Sequence, residues 1–412
     1  MSELESVKAV AEKQGEMLAS RDANLPSVKK STELVEAFLK AHRVMCYGGT
    51  AINNLLPKEA QFYGSDETPD YDFFSETPQE HGVLLANQLS AAGIGSVEVK
   101  PGIHLGTYKV FADYHGVADI TFIVPKIFNH LWGEKITRHG IHYVPPDFLR
   151  MSMYLELSRP EGDVSRWEKV YTRLSLLNKQ HPIICRHVPK TPDELSAEQK
   201  KDTLEMLKKN PIVLLGFSAV SRHEKKAVWY TPVTLLADKE VIASLTKGKK
   251  TVEYQPTEIL PGRTDVLDKE GAIMYQFYET QACHSYHTTG DGIKVASIPT
   301  LLMFFMALMY SDESKDDVSR LMCVAQRLVE LADDKPKRRF ALLTPSECLG
   351  TQKELLDLRQ ERVELYDKVK KNKSSPDFVQ YFFTYNPKST KTERAKVSQL
   401  LKKTRKARLS SE

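Results

Sequence analysis

Two short motifs in the first third of the chain combine residue types that phosphate chemistry requires. Gly48, Gly49 and Thr50 follow the apolar stretch 44–47 and precede a stretch with helical spacing. This order predicts a strand, a glycine turn and a helix, in which backbone N–H groups and the positive helix terminus approach a phosphate. The Thr50 hydroxyl can donate to the same phosphate. The alternative is an ordinary glycine turn without a ligand.

Three aspartates form the second motif. Asp70 and Asp72 lie in a segment that alternates polar and aromatic residues, so we expect a strand with both carboxylates on one face. Asp119 lies in the apolar strand predicted at 117–122, where a lone charge is costly. Close carboxylates repel unless a cation lies between them. The motif predicts two divalent ions, Mg²⁺ or Mn²⁺, and in-line phosphoryl transfer, whereas the alternative is an exposed acidic strand end.

The elements that position these residues are predicted to form a mixed α/β (α+β) fold. A chain of 412 residues is longer than one core usually organises, so two main domains are expected. The predicted division has a polar N-terminal extension, a catalytic domain with a helical part, a linker helix, a second domain and a basic tail: 1–30, 31–185, 186–211, 212–385 and 386–412. The linker helix is predicted to begin with Thr191 as its N-cap and to end near Lys209.

The second half of the chain repeats pieces of the first half in the same order. The stretches 212–220, 251–254 and 317–320 match three earlier ones: 44–52, 96–99 and 163–166. We interpret this order as a duplication. Continuing the match places three residues without a carboxylate at the positions of the three aspartates: Lys225, Ala227 and Met274. A copy without the carboxylates indicates that they serve chemistry rather than the fold.

The composition favours a soluble intracellular protein over a membrane-spanning or secreted one. Hydrophobic residues make up 41% of the chain and charged residues 27%, as in soluble globular proteins. No apolar run approaches the roughly 20 residues of a membrane span, and the first twenty residues lack the apolar part of a secretory signal. The five cysteines are widely spaced without a Cys-x-x-Cys pair, which predicts reduced thiols in an intracellular protein: Cys46, Cys185, Cys283, Cys323 and Cys348.

Two groups of basic residues are candidate contacts for a nucleotide or RNA. The C-terminal tail is strongly basic and predicts weak RNA contacts, among them Lys402, Lys403 and Arg405. A second group is spaced to share one helix face, which fits either a grip on the triphosphate or RNA backbone or a solvated surface: Arg166, Lys169 and Arg173. The two arginines have counterparts in the second copy, whereas Lys169 falls on Cys323, so Lys169 is the preferred nucleotide contact.

The motifs together resemble a known signature. A Gly-Gly-Thr turn, an Asp-x-Asp strand and a later aspartate resemble the DNA polymerase beta-like nucleotidyltransferase superfamily. The stretches 47–52, 69–75 and 163–174 are more narrowly similar to the poly(A) polymerase catalytic subunits of large (giant) nucleocytoplasmic DNA viruses. This resemblance implies a nucleotide phosphate loop at residues 48–50 and metal ligands at the three aspartates. It also implies tandem nucleotidyltransferase-like domains, of which the second is degenerate.

The resemblance further implies a function. A member of this family is a template-independent polynucleotide adenylyltransferase, which transfers AMP from ATP to the 3′-hydroxyl of mRNA. The implied partners are the RNA 3′ end and either a second copy of the chain or a viral processivity or cap-methyltransferase subunit, with no membrane. The implied location is the host cytoplasm, with packaging in the virion as an option.

Other functions remain open on the residues alone. Terminal uridylyl or CCA addition, a small-molecule nucleotidyltransferase and a non-catalytic RNA-binding processivity partner are the alternatives. No residue that selects the base can be named from one sequence, although three aromatic residues are candidate neighbours of the adenine: Tyr71, Phe73 and Tyr154.

Overall fold

The structure of the protein is a computed structural model, and it describes residues 3–64, 69–186, 192–226, 228–280, 282–311, 318–333 and 347–409. The chain folds into two compact units. Unit 1 consists of residues 1–145 and 355–412, and unit 2 of residues 146–354. This division differs from the predicted domain bounds in two places, since 146–185 belongs to unit 2 and 355–385 belongs to unit 1.

Unit 1 is built on a mixed seven-stranded sheet. Its strands are β1 (Met45–Tyr47), β2 (Tyr71–Ser75), β3 (Val97–Pro101), β4 (Thr107–Ala112), β5 (His115–Phe122), β6 (Ile136–Arg138) and β7 (Ile141–Tyr143). They lie in the order β3-β4-β5-β2-β1-β7-β6. The first five helices are α1 (Glu3–Ala23), α2 (Pro26–Ala41), α3 (Gly48–Leu55), α4 (Pro78–Ala91) and α5 (Pro125–Glu134).

Alternation along β2 separates the core of unit 1 from its functional face. Tyr71, Phe73 and Ser75 are buried, whereas Asp72 and Phe74 point to the other face and are partly exposed. Apolar residues of α2 at helical spacing pack into the same core: Val28, Val35, Phe38 and Leu39. The sheet therefore presents its aspartates on the face opposite to the buried aromatic residues.

Unit 2 contains an eight-stranded sheet. Its strands are β8 (Val213–Leu214), β9 (Val233–Ala237), β10 (Thr251–Tyr254), β11 (Arg263–Leu267), β12 (Ile273–Glu279), β13 (His284–Thr288), β14 (Lys294–Ala296) and β15 (Cys348–Leu349). The order is β10-β11-β12-β9-β8-β14-β13-β15. The first seven strands repeat the order of unit 1, with the same parallel and antiparallel pairings. The mixed α/β fold and its repeat, both predicted from the sequence, are confirmed.

The helices of unit 2 are α6 (Pro146–Leu157), α7 (Trp167–Gln180), α8 (Ala197–Lys209), α9 (Gly216–His223), α10 (Lys239–Thr246), α11 (Ile298–Tyr310) and α12 (Val318–Asp333). Almost every residue of α11 is buried, because the helix is apolar on all sides and packs against both α6 and α12. Helix α8 begins after Ser196, which forms a capping box with Gln199. The predicted start at Thr191 is wrong for α8, and Thr191 itself lies outside the described residues.

Three further helices complete unit 1: α13 (Leu355–Val369), α14 (Pro376–Phe382) and α15 (Lys391–Leu409). The segment after α14 pairs with the edge strand β3. The Val99 N–H donates to the Tyr385 carbonyl at 2.8 Å, and the Tyr385 N–H donates to the Val99 carbonyl at 3.0 Å. The Tyr385 hydroxyl also donates to Asn87 Oδ1 at 2.7 Å. These bonds place the C-terminal segment in the same unit as the first 145 residues.

The expectation of reduced cysteines is wrong for four of the five. Unit 2 contains disulfides Cys185–Cys323 and Cys283–Cys348, whereas Cys46 is a buried thiol in unit 1. Burial raises the pKa of Cys46, and the negative charges of Asp72 and Glu36 raise it further. Over the described ranges, no helix is both long and apolar enough to span a membrane.

Candidate active site

Gly48, Gly49 and Thr50 form the first turn of α3, which follows β1 directly. Tyr47 has an extended backbone, and Gly48 has a φ of +74°, which side chains other than that of glycine rarely adopt. A Cβ atom at Gly48 would collide with the Asp72 carboxylate and lie 3.2 Å from its Cγ atom. Glycine is therefore required here for two reasons: its backbone angle and the close approach of Asp72.

Strand register brings the aspartates together. β2 lies between β1 and β5, and Asp72 is opposite both Tyr47 on β1 and Asp119 on β5. Asp70 directly precedes β2, two residues from Asp72. Asp72 and Asp119 thus occupy neighbouring positions beside the start of α3, whereas Asp70 lies just before the strand that was predicted to contain it.

The pKa of the Tyr47 hydroxyl reflects the negative charge of the three aspartates. Burial raises the pKa of its hydroxyl, and the negative charges of Asp72, Asp119 and Asp70 all raise it further. The hydroxyl lies 2.8 Å from Thr121 Oγ1, a bond that opposes part of the increase. Because all three aspartates act on one hydroxyl, the face carries a concentrated negative potential.

Lys109 is a site residue that sequence reasoning missed. It lies on β4 opposite Asp119, and its ammonium group forms an ion pair with Asp119 Oδ2. The Lys109 side chain is 43% exposed and that of Asp119 19% exposed, so solvent reaches the pair from the lysine side. The pairing of β4 with β5 as a hairpin would have revealed this neighbour, because cross-strand residues 109 and 119 are then adjacent.

The donor set suits hard divalent cations, which prefer carboxylate oxygens. The three carboxylates do not yet converge on one point. Within the described part of the chain, the only three potential ligand atoms that all lie within 4.8 Å of one another belong to Glu161, Cys283 and Cys348, and those cysteines are joined in a disulfide. Mutual repulsion keeps carboxylates apart without a cation. The residue types therefore fit divalent cations, whereas the oxygen atoms of the three aspartates do not all lie within 4.8 Å of one another.

Thr50 and the three aromatic residues that were predicted to contact the nucleotide are buried. Thr50 is buried, and its hydroxyl donates to the Asp70 carbonyl at 2.6 Å, so it anchors the segment that carries Asp70. The three aromatic candidates for adenine contact are each at most 2% exposed and pack in the cores of their units: Tyr71, Phe73 and Tyr154. The expectation is therefore wrong for Tyr71 and Phe73, whereas Tyr154 lines a cavity of unit 2.

The basic candidates divide between the two units. In unit 2, Arg166 lies in a short 3-10 turn before α7 and forms an ion pair with Glu156 at 2.9 Å. Lys169 is exposed on α7, and Arg173 is half-buried on the same helix. In unit 1, Lys402 is exposed on α15 and lines a cavity of about 940 Å³ beside α4. Lys403 and Arg405 lie outside the residues whose side chains are described.

The register of unit 2 corrects the predicted counterparts of the aspartates. Leu214 pairs with Leu235 as Cys46 pairs with Phe73, so Thr234 takes the place of Asp72. Thr234 is opposite Gln276, which therefore takes the place of Asp119, and Pro232 takes that of Asp70. Lys225 lies instead in the turn after α9, Met274 lies two residues before Gln276, and Ala227 is outside the described residues.

Loop length explains the misplaced counterparts. Asp72 follows Gly48 by 24 positions, whereas Thr234 follows Gly216 by 18, so unit 2 lacks six residues there. The matches of 44–52 with 212–220 and of 96–99 with 251–254 predict a larger deletion of 13 residues (168 minus 155) in this loop. The glycine itself is retained: Gly216 has a φ of +65°, and a Cβ atom there would lie 2.7 Å from Thr234 Oγ1.

The charge of the corresponding face in unit 2 is rearranged. Asp265 is opposite Gln276, as Lys109 is opposite Asp119, and Arg263 takes the position of Thr107. Arg263 Nε lies 2.9 Å from Asp265 Oδ1, and both side chains are at most 2% exposed. This face therefore holds one compensated ion pair in place of three aspartates and a lysine.

Comparison with known proteins agrees with this geometry. The family described as "Poly(A) polymerase catalytic subunit" matches residues 33–163, the segment that contains the glycine turn and all three aspartates. A protein of African swine fever virus, named "Putative poly(A) polymerase catalytic subunit", is 32% identical over 170 residues, which cover 40% of this chain and 35% of that protein. A protein of the same name from Acanthamoeba polyphaga mimivirus is 30% identical over 189 residues, or 44% of this chain and 32% of that protein.

The chain thus spans about a third of the length of these curated relatives. Among solved structures, the crystal structure of the Megavirus polyadenylate synthase has a similar fold, with a TM-score of 0.78 and 19% sequence identity. The similarity covers 97% of this chain and 89% of that one. Residues 33–163 therefore carry the signature of the poly(A) polymerase catalytic subunit family, and the resemblance predicted from the sequence is confirmed.

Proposed function

We propose that the protein is a template-independent poly(A) polymerase that transfers AMP from ATP to the 3′-hydroxyl of RNA and releases pyrophosphate. The observation that carries the proposal is the placement of Asp72 opposite Asp119, beside the glycine turn that Asp72 contacts. The family match over the same segment supports the reaction class. The preference for ATP rests on that match.

In this mechanism Asp70, Asp72 and Asp119 would hold two divalent ions, Mg²⁺ or Mn²⁺. Such ions would supply activation of an attacking 3′-hydroxyl and charge neutralisation for a departing pyrophosphate. The backbone at Gly48 and Gly49, at the first positions of α3, presents N–H groups and the positive end of the helix to the triphosphate. The Thr50 hydroxyl donates to the backbone carbonyl of Asp70 and so keeps Asp70 in place.

Lys109 compensates part of the negative charge of the cluster while no ion is bound, since its ammonium group pairs with Asp119. No side chain needs to form a covalent intermediate in a direct displacement. The contribution of the protein is then the positioning of the reactants and the stabilisation of charge.

We also propose the partners of the protein and its location. The RNA 3′ end is the acceptor, and a second copy of the chain or a viral helper subunit supplies processivity. The virus-infected cytoplasm is the proposed site of action. Lys402 on α15, next to the cavity beside α4, supports a contact of unit 1 with the RNA backbone.

The test is a primer-extension assay with labelled oligoadenylate and each of the four NTPs supplied separately, in Mg²⁺ and in Mn²⁺. We expect extension with ATP and little with UTP or CTP. Extension with UTP or CTP in preference to ATP would replace adenylation by another terminal transfer. No extension with any NTP in either metal would reject catalysis and favour a non-catalytic RNA-binding role.

A further inference from the structure

A cavity of about 310 Å³, here called the unit 2 cavity, lies on the face of unit 2 that corresponds to the aspartate cluster. Its floor includes Thr234 of β9 and Gln276 of β12, the counterparts of Asp72 and Asp119. Helix α11 contributes an apolar wall: Leu301, Phe304, Phe305 and Leu308. The volume is at the lower end of the range for small-molecule sites, so it suits a group of the size of a base or nucleoside.

The polar groups of this cavity are neutral or compensated. Thr234 Oγ1 and Gln276 Oε1 lie side by side, 3.4 Å apart. Arg263 also lines the cavity, but its charge is balanced by Asp265. None of the described lining residues is a carboxylate, so the cavity offers no acidic ligands to a metal ion. A ligand here must be held by hydrogen bonds and apolar contacts rather than through a metal-bound triphosphate.

The remaining surfaces favour a planar ligand. Phe217 at the start of α9 is half-buried and is the ring of this lining that a ligand can reach, whereas Phe305, 5.5 Å away between ring centroids, and Phe304 are at most 4% exposed and support it from the core. Gly271 and Ala272, two lining residues without large side chains, are exposed to solvent. Aromatic walls and a carboxamide are the combination by which proteins bind unstacked bases of single-stranded RNA.

We propose that the unit 2 cavity binds an adenine base without a metal ion. A glutamine carboxamide matches adenine well, because its carbonyl accepts from N6 and its NH₂ donates to N7. The choice of adenine over other bases rests on the proposed function, which brings ATP and a growing oligoadenylate to this protein. The former catalytic face of the second copy has thus become a recognition site for the substrate or the product.

The adenine can come from a free nucleotide or from an RNA strand, and photo-crosslinking of the full chain distinguishes them. One arm uses 8-azidoadenosine, and the other an oligoadenylate that contains one 8-azidoadenosine. Both arms contain EDTA, because the cavity needs no metal. We expect labelled peptides from 271–278 or 298–310, and competition by adenosine but not by uridine. Labelling by the nucleoside indicates a mononucleotide site, and labelling by the oligonucleotide alone indicates a strand site.

Matched variants test the role of the carboxamide. Gln276→Leu removes the polar group at similar size and is expected to reduce labelling about tenfold. Gln255→Leu, in the exposed segment after β10, is the control and should label like the wild type. Thr234→Val provides a second test if Gln276→Leu lowers the unfolding temperature. Labelling elsewhere, equal competition by uridine or an equal loss in the control would overturn the proposal.

The outcome is separable from that of the proposed function. Asp72→Asn should retain labelling of unit 2 in EDTA, because Asp72 belongs to unit 1. Labelling without primer extension would reject the polymerase and keep the base site. Extension by the wild type without labelling of unit 2 would reject the base site alone.

Discussion

The two units have the same strand order but opposite chemistry on the corresponding sheet face. In unit 1, Asp72 and Asp119 are adjacent on β2 and β5, with Lys109 paired to Asp119. In unit 2, Thr234 and Gln276 occupy those places, and the charges belong to the buried pair of Arg263 and Asp265. Since the sheet forms with either set, the carboxylates of unit 1 are not needed to build it.

The largest effect is expected from removing one negative charge in unit 1. Asp72→Asn keeps the size of the side chain but weakens metal binding, so primer extension should fall roughly a thousandfold or more. Circular dichroism and the unfolding temperature should stay close to those of the wild type. The control is Asp357→Asn, an exposed position at the start of α13. Substantial primer extension by Asp72→Asn would show that this carboxylate is not required for the reaction. The different residues at this position in the two units would then not explain a difference in activity.

The retained glycines allow one substitution in both units. Gly48→Ala and Gly216→Ala each place a Cβ atom at positive φ against the neighbouring strand, so each should cost about 1–3 kcal/mol of unfolding free energy. Only Gly48→Ala also displaces Asp72, and extension should fall roughly a hundredfold. Urea denaturation and primer extension measure the two effects. An equal loss of activity in Gly216→Ala would show that the second glycine matters for catalysis as well.

Acid should destabilise both units through one histidine each, the partly buried His81 in unit 1 and the buried His284 in unit 2. Burial, and then nearby His42, lowers the pKa of His81 in unit 1 to about 4 from its usual 6.5. Burial, and then Arg159, lowers that of His284 in unit 2 to about 3. Below pH 6.5 the unfolded chain binds protons that the folded chain does not, so stability is complete above that pH. It falls by up to about 1 kcal/mol per pH unit for each histidine down to its folded pKa.

Denaturation midpoints measured between pH 7 and 4 test this dependence. His81→Gln should flatten the curve, whereas His104→Gln, at an exposed position, should keep the wild-type slope. An unchanged slope in His81→Gln would show that His81 is not the group that takes up the proton.

The smallest effect concerns Lys109. Its ammonium group competes with a divalent ion for Asp119, so Lys109→Met should lower the half-saturating Mn²⁺ concentration roughly two- to fivefold. Lys40→Met is a matched control, since Lys40 is similarly exposed and pairs with Glu36 on α2. Calorimetric titration measures the shift. A higher half-saturating concentration would mean that Lys109 supports ion binding instead of competing with it.

The local sequence pattern was sufficient to predict the elements around Gly48. The apolar stretch before Gly48 and the alternation around Asp72 depend only on neighbours in sequence, so β1, α3 and β2 were predicted close to their observed bounds. Tyr71 and Phe73 were misjudged because alternation alone does not tell which face of a strand is buried.

Contacts between residues that are far apart in the chain could not be predicted from the sequence pattern. Lys109 and the counterparts Thr234 and Gln276 become visible only with strand register, which depends on loop lengths that short matches do not determine. The disulfides join cysteines 138 and 65 residues apart, without a local motif that indicates the pairing. No local motif indicates the pairing of Tyr385 with Val99 either, because all residues of unit 2 lie between them in the sequence.

That last pairing has a consequence for the order in which the protein can be made. The ribosome synthesises residues 146–354, all of unit 2, before the segment that closes the β3 edge of unit 1. Until Tyr385 has emerged, Val99 lacks both of its backbone partners there, and Asn87 lacks the tyrosine hydroxyl. The two parts of the unit that carries the aspartates therefore lie on either side of unit 2 in sequence, so a nascent chain can close the β3 edge of unit 1 only after all of unit 2 has been synthesised.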